Sequence, residues 1–181
     1  MFQHRAAAIF AAIALAACGG QARGPGGAQL PDPIATASLF DTAGTRVGLV
    51  TFSEADGNGQ MGVSVAGLAP GRHDMHLHET GACTPPDFES AGGHFNPASK
   101  QHGLENPEGP HAGDMPNLIV DTDGSADTTF TVAASLLAQG SESLIGAQKR
   151  AFVIHADPDD QQTDPSGDSG SRVVCGVVER G

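Results

Sequence analysis

Tryptophan and tyrosine are missing from all 181 residues, so the large aromatics are represented only by eight phenylalanines. Their absence removes the stacking platforms on which single-strand nucleic-acid binders depend. It also leaves the core to Phe, Val, Ile, Leu and Ala. Cations are scarce too: nine Lys and Arg face twenty-one Asp and Glu, a formal net charge of −12. Phosphate binding needs a concentrated basic face, so nucleic acid is excluded and a small partner is expected. Amphipathic periods of helical spacing are absent, whereas 25 Gly and 12 Pro punctuate the chain throughout. That balance predicts short strands joined by tight turns and long loops.

Length gives room for one domain of ordinary size. The only long apolar run, residues 6–17, is too short to span a bilayer comfortably and follows Arg5. It ends at Leu15-Ala16-Ala17-Cys18, small residues before a cysteine, which reads as an export signal. Leu-Ala-Ala-Cys resembles the lipobox of bacterial lipoproteins, in which the cysteine is lipidated and becomes the new N-terminus. The expected organisation is a signal peptide over 1–17, a lipidated Cys18 with a flexible tether over 18–33, and one domain over 34–181. The chain is then exported to the periplasm or cell envelope and touches the membrane through its lipid anchor alone. Cys83 and Cys175 remain in the domain, and in an oxidising compartment two cysteines predict one disulfide.

Within the domain, alternating apolar residues over 34–40, 46–52, 61–65 and the approach to residues 73–78 predict antiparallel strands. Ala43-Gly44, Asp56-Gly57 and Pro70-Gly71 supply the turns between them. Strand signal resumes at 118–121, 128–132, 151–154 and 172–178. Two long polar segments interrupt it, 79–115 and 156–171, and loops of that length inside a compact domain are usually functional. The predicted architecture is all-β, a sandwich or Greek-key barrel that keeps its chemistry on loops.

Seven of the eight histidines fall in this domain. His76 and His78, two apart at a strand end, share a face and can reach one ion, a plausible copper pair. His73 points the other way, with Met75 and Leu77, and reads as a hydrogen-bonded structural residue. His94, His102, His111 and Asp114 form the donor set of a tetrahedral zinc site. His155 follows a strand, where a ligand can be held on the wall. These donors overfill one site, so two are expected, one of them redox-capable.

The motifs His76-Leu77-His78-Glu79, Gly92-Gly93-His94-Phe95-Asn96-Pro97, His102-Gly103, His111-Ala112-Gly113-Asp114 and Gly170-Ser171-Arg172-Val173-Val174-Cys175-Gly176 together resemble the copper/zinc superoxide dismutase family, from about residue 34 to 178. The resemblance implies an eight-stranded Greek-key β-barrel, immunoglobulin-like, with two functional loops. It implies copper on His76, His78, His94 and His155, and zinc on His94, His102, His111 and Asp114, with His94 bridging. Asp159 is implied to link His76 to His102, Arg172 to sit beside copper and draw in superoxide, and Cys83 to pair with Cys175. The activity implied is conversion of superoxide to dioxygen and hydrogen peroxide by one-electron cycling of copper; an exported copper/zinc carrier without turnover is the alternative. The sequence leaves a homodimer open. One departure stands out: the segment 157–171 holds Asp157, Asp159, Asp160, Asp164 and Asp168 but no Lys or Arg, whereas guiding lysines are common there in the family. Lys100, or Lys149 with Arg150, would have to supply that potential.

Overall fold

The computed structural model describes residues 32–181; the signal segment, Cys18 and nearly all of the tether lie outside the described residues. Among the described residues ten strands form, β1 (Ala35–Asp41), β2 (Arg46–Ala55), β3 (Asn58–Ala66), β4 (Gly71–His73), β5 (Met75–His78), β6 (Leu118–Val120), β7 (Ser125–Val132), β8 (Ala151–His155), β9 (Arg172–Val177) and β10 (Glu179–Arg180). Two single 3₁₀ turns, Glu89–Ala91 and Ala134–Leu136, complete the regular structure among the described residues.

The first three strands form a meander because their turns are encoded locally. Asp56 and Gly57, at φ 53° and 76°, make the tight β2–β3 connection that a twisted hairpin requires. Asp41 closes the β1–β2 turn by accepting the N–H groups of Ala43 and Thr45 on its carboxylate. Along β3, alternate residues turn inward, burying Met61, Val63 and Val65.

Eight strands make one antiparallel, curled sheet, in the order β5-β8-β9-β1-β2-β3-β7, with β10 pairing on β1. The short ladder β4-β6 stands apart, but β4 runs on into β5 and β6 turns into β7, so it spans the two edges of the large sheet. The ladder is separate because Asp74 interrupts the strand between β4 and β5, its N–H given to Asp157 O at 3.0 Å. Inside the curl, Leu39, Phe52, Met61, Met75, Leu77, Leu118 and Phe152 are fully buried. Each such side chain contributes roughly 1.5–3 kcal/mol relative to exposure.

A third long connection, between β7 and β8, carries Leu136, Leu137 and Leu144 into the same core. On the outer surface of the sheet, Phe88, Ala91, Ala151, Val153 and Cys175 form a second cluster that seats the β5–β6 loop. The disulfide Cys83–Cys175 fixes that loop to β9 across 92 residues of chain. Closing so long a ring stabilises the fold by roughly 4–5 kcal/mol in the chain-entropy model.

Candidate metal centre

Strand pleat and loop threading bring the histidines together. His76 and His78 occupy alternate positions of β5, so Met75 and Leu77 enter the core while both imidazoles face the loops. His155 ends β8, the antiparallel neighbour of β5, and its N–H donates to Asp74 O at 2.9 Å. The β5–β6 loop then returns along β5 as an irregular strand. Glu79 N–H donates to Gly93 O, Phe95 N–H to Leu77 O and Leu77 N–H to Gly113 O, at 2.8–3.0 Å. These bonds set His94 opposite His78 and Asp114 opposite His76. Glycine is required at 113, because a Cβ there would stand 2.3 Å from Leu77 O. The second loop joins in when Asp164 accepts His102 N–H at 2.7 Å.

Two adjoining histidine-rich groups of donors result, and Asp74, His76 and Asp159 form a third buried cluster beside them. His76, His78, His94 and His155 converge in one, with a donor atom of each within 4.8 Å of the others; His94, His102 and Asp114 converge in the second. His94 belongs to both. His76 also reaches the second group, its Nε2 lying 3.9 Å from Asp114. His111 completes the loop cluster through Asp114: the Nδ1 atoms of His94, His102 and His111 stand 3.4, 3.1 and 3.2 Å from Asp114 Oδ1. Donors each about 2.0–2.2 Å from a shared ion are spaced roughly 3 Å apart, so this is the packing of a coordination shell.

Hydrogen bonding separates the ring nitrogens that are committed from those that are free. His78 Nδ1 contacts Gly92 O at 3.0 Å and His155 Nδ1 contacts Gly170 O at 3.2 Å, so these atoms carry the protons. Their Nε2 atoms are buried and unpartnered, as are His76 Nδ1, His94 Nδ1 and His111 Nδ1. Native interiors rarely leave so many polar atoms unsatisfied without an ion or ligand to meet them. The donor chemistry fits the pair of ions: four converging imidazoles in one group suit copper, and three imidazoles with a carboxylate suit zinc.

Behind the donors, Asp159 accepts from His76 Nε2 at 3.2 Å and from His102 Nε2 at 3.0 and 3.1 Å, which fixes both rings. Asn117 holds Asp159 in place by accepting its backbone N–H at 2.8 Å. Gly167 lets the chain pass: a Cβ there would collide with the Asp159 carboxylate. Burial lowers the pKa of His78 to about 2 and that of His155 to about 4, keeping both neutral and available as donors. At His102 burial also opposes the charge, but Asp114 and Asp159 outweigh it and push the pKa to about 10. Those two carboxylates are held well below the usual range against the opposing effect of burial, by His102 first.

Arg172 opens β9 in register with His155. Its two terminal nitrogens donate to Phe88 O at 2.8 Å and Gly92 O at 2.7 Å, the second carbonyl being the one that His78 also contacts. The guanidinium lines an open pocket of about 580 Å³ shared with Asp87 and Glu89. Of the other candidate cations, Lys149 is paired with Glu179 at 2.6 Å, and Arg150 lies over the Phe95 ring at 4.1 Å while donating to Glu79 O. His73 bonds Ala69 O and His155 O, each at 2.8 Å, and takes no part in either group. Sequence reasoning missed Asp74, a fully buried carboxylate whose Oδ2 stands 2.7 Å from His76 Nδ1. The signal was present in the spacing, since Asp74, His76 and His78 recur at every second residue.

Comparison with known proteins identifies the family. The family profile described as copper/zinc superoxide dismutase (SODC) matches residues 46–178, and the chain belongs to that family. Among its relatives are the superoxide dismutase-like protein YojM of Bacillus subtilis, 43% identical over 77% of this chain and 73% of the relative, and "Superoxide dismutase [Cu-Zn] 2" of Aquifex aeolicus, 42% identical over 81% and 87%. The crystal structure of a SOD-like protein from Bacillus subtilis superposes with a TM-score of 0.74 at 40% identity, covering 78% of this chain and 96% of that one. The Cu/Zn superoxide dismutase from Brucella abortus gives 0.64 at 31% identity over 79% and 98%.

Proposed function

We propose that the chain is a superoxide dismutase holding one copper and one zinc ion, with copper on His76, His78, His94 and His155, and zinc on His94, His102, His111 and Asp114. The observation that carries this reading is the set of buried, unpartnered ring nitrogens arranged in two groups that share His94. Bound copper supplies the one-electron redox step, which zinc cannot. The remaining work falls to the chain. His94, reaching both groups, is the residue placed to hold or surrender a proton, and two protons are needed to form hydrogen peroxide. Asp159 keeps the His76 and His102 rings in orientation through the cycle. Arg172 carries a permanent charge, pinned by two carbonyls, beside which a small anion can be oriented.

A carrier of the same metals without turnover is the rival reading, favoured by the acidic Asp87 and Glu89 that share the pocket with Arg172 and oppose the entry of an anion. Elemental analysis of metal-loaded protein, with an assay of superoxide consumption, separates them. One copper and one zinc per chain with turnover is expected; Arg172→Glu keeps both metals and loses most of the rate, with Arg172→Lys intermediate. Loaded protein without turnover establishes the carrier.

The proposal includes export and lipid anchoring through Cys18, supported by the signal-like run before it and by the disulfide, which belongs to an oxidising compartment. Cys18→Ser is expected to release the protein from membrane fractions or block its processing. Unchanged fractionation would remove the anchor from the account.

A further inference from the structure

The buried carboxylate of Asp74 has no role in the site described so far. It is fully inaccessible to solvent, and among the described residues no lysine or arginine pairs with it. Neither carboxylate oxygen has a hydrogen-bond partner. Such a group is costly in a protein interior unless a cation or a set of donors meets it. Its backbone cannot move aside, being held by bonds to Asp157 O and from His155 N–H.

What the carboxylate faces is informative. Oδ2 lies 2.7 Å from His76 Nδ1 and 4.0 Å from His155 Nε2, both atoms of the all-histidine group. Despite the 2.7 Å contact, both atoms remain without a hydrogen-bond partner. His76 Nε2 meanwhile meets Asp159, an acceptor, so the ring's proton sits on that side in the neutral form and Nδ1 presents a lone pair. A lone pair and a carboxylate oxygen at this separation repel each other unless a positive charge lies between or beside them. Two donors sharing one first-row ion are spaced roughly this far apart. Although Asp74 lies in the break before β5, the contacts above bring its carboxylate to the imidazoles of His76 and His155.

We propose that Asp74 contributes a carboxylate oxygen to the ion held by His76, His78, His94 and His155, making this a mixed nitrogen and oxygen site. The proposal rests on the metal assignment above but not on turnover. A hard anionic oxygen favours the divalent over the monovalent ion, so its removal should weaken Cu(II) far more than Cu(I).

The test loads the full chain with copper and zinc and compares wild type, Asp74→Ala and the isosteric Asp74→Asn. Both variants are expected to change the Cu(II) electron paramagnetic resonance spectrum and visible band and to bind Cu(II) about 10–100-fold more weakly, with Cu(I) binding nearly unchanged. In the wild type, ¹³C-labelled aspartate should show a carboxylate carbon coupled to Cu(II), a measurement that needs no variant. Superimposable spectra and equal Cu(II) affinities in all three proteins, or no carbon coupling, would overturn the proposal. So would tighter Cu(II) binding in the variants, which would mean that Asp74 holds a proton on His76 Nδ1 instead. The two readings fail separately: a wild type with the Asp74 signature but no superoxide consumption rejects the enzyme and keeps the ligand. An active wild type whose spectrum ignores Asp74 does the reverse.

Discussion

At the scale of single residues, His78, His155 and His102 are tuned by what stands behind them. His78 and His155 face carbonyl oxygens and apolar surroundings, and burial depresses their pKa to about 2 and about 4. His102 stands between Asp114 and Asp159, whose charges overcome its burial and raise its pKa to about 10. For the metal-free protein the signs follow from an unfolded value near 6.5. The His102 contribution to stability is complete below about pH 6.5 and is lost as pH rises toward 10. Neutral His78 and His155 favour the fold above pH 6.5, and that support is lost as pH falls toward 4 and below. At pH 7 the metal-free His102 is therefore protonated, and a metal must displace that proton to reach its Nδ1. Zinc loading at pH 7 should release on the order of one proton per chain from this ring, read in weak buffer with an indicator dye. The release should fade as the starting pH approaches 10. No release at pH 7 would contradict the charged state assigned to His102.

At the scale of elements, the sequence discloses most where side chains alternate against a single core. Strands β1, β2, β3 and β9 were legible because their inward positions are apolar and their turns carry Gly, Asp or Asn, although β2 and β3 run on past the predicted limits into the Asp56-Gly57 turn. The break between β4 and β5 was not legible, because Asp74 is placed there by its contacts with Asp157 and His155, which lie far along the chain. The loop between β7 and β8 gave no periodic signal either: Leu136, Leu137 and Leu144 meet the core through an irregular path. Much of the site was readable because the pleat and the polar loops concentrate metal-binding residue types within two segments. How those residues divide between two groups is a matter of threading. Hydrogen bonds from the loop to both sides of Leu77 determine it, and these depend on Gly113, whose necessity shows only when the two backbones are seen in contact.

At the scale of the whole molecule, charge governs how the proposed anionic substrate can approach. The chain carries −12, Arg5 and Arg23 are its only cations before residue 32, and two bound divalent ions would still leave it strongly negative. The second loop adds Asp157, Asp159, Asp160, Asp164 and Asp168 without a basic residue. Lys149 is neutralised by Glu179, Arg150 is engaged with Phe95 and Glu79 O, and the pocket beside Arg172 also presents Asp87 and Glu89. At about 0.01 M salt the screening length is roughly 30 Å, so an approaching anion meets the field of the entire acidic surface. At about 0.1 M it shrinks to roughly 10 Å, which removes the distant repulsion but spares the attraction of Arg172 at close range. Superoxide consumption by the loaded protein should therefore accelerate as ionic strength rises through this range. Arg172→Glu should be slow throughout and should accelerate more steeply, because screening then relieves repulsion at every distance. Stopped-flow decay of superoxide across a salt series, with the metal content fixed, reads both slopes. A wild type that slows with salt would show that an attractive local field dominates, and the cations responsible would have to be sought beyond Arg172.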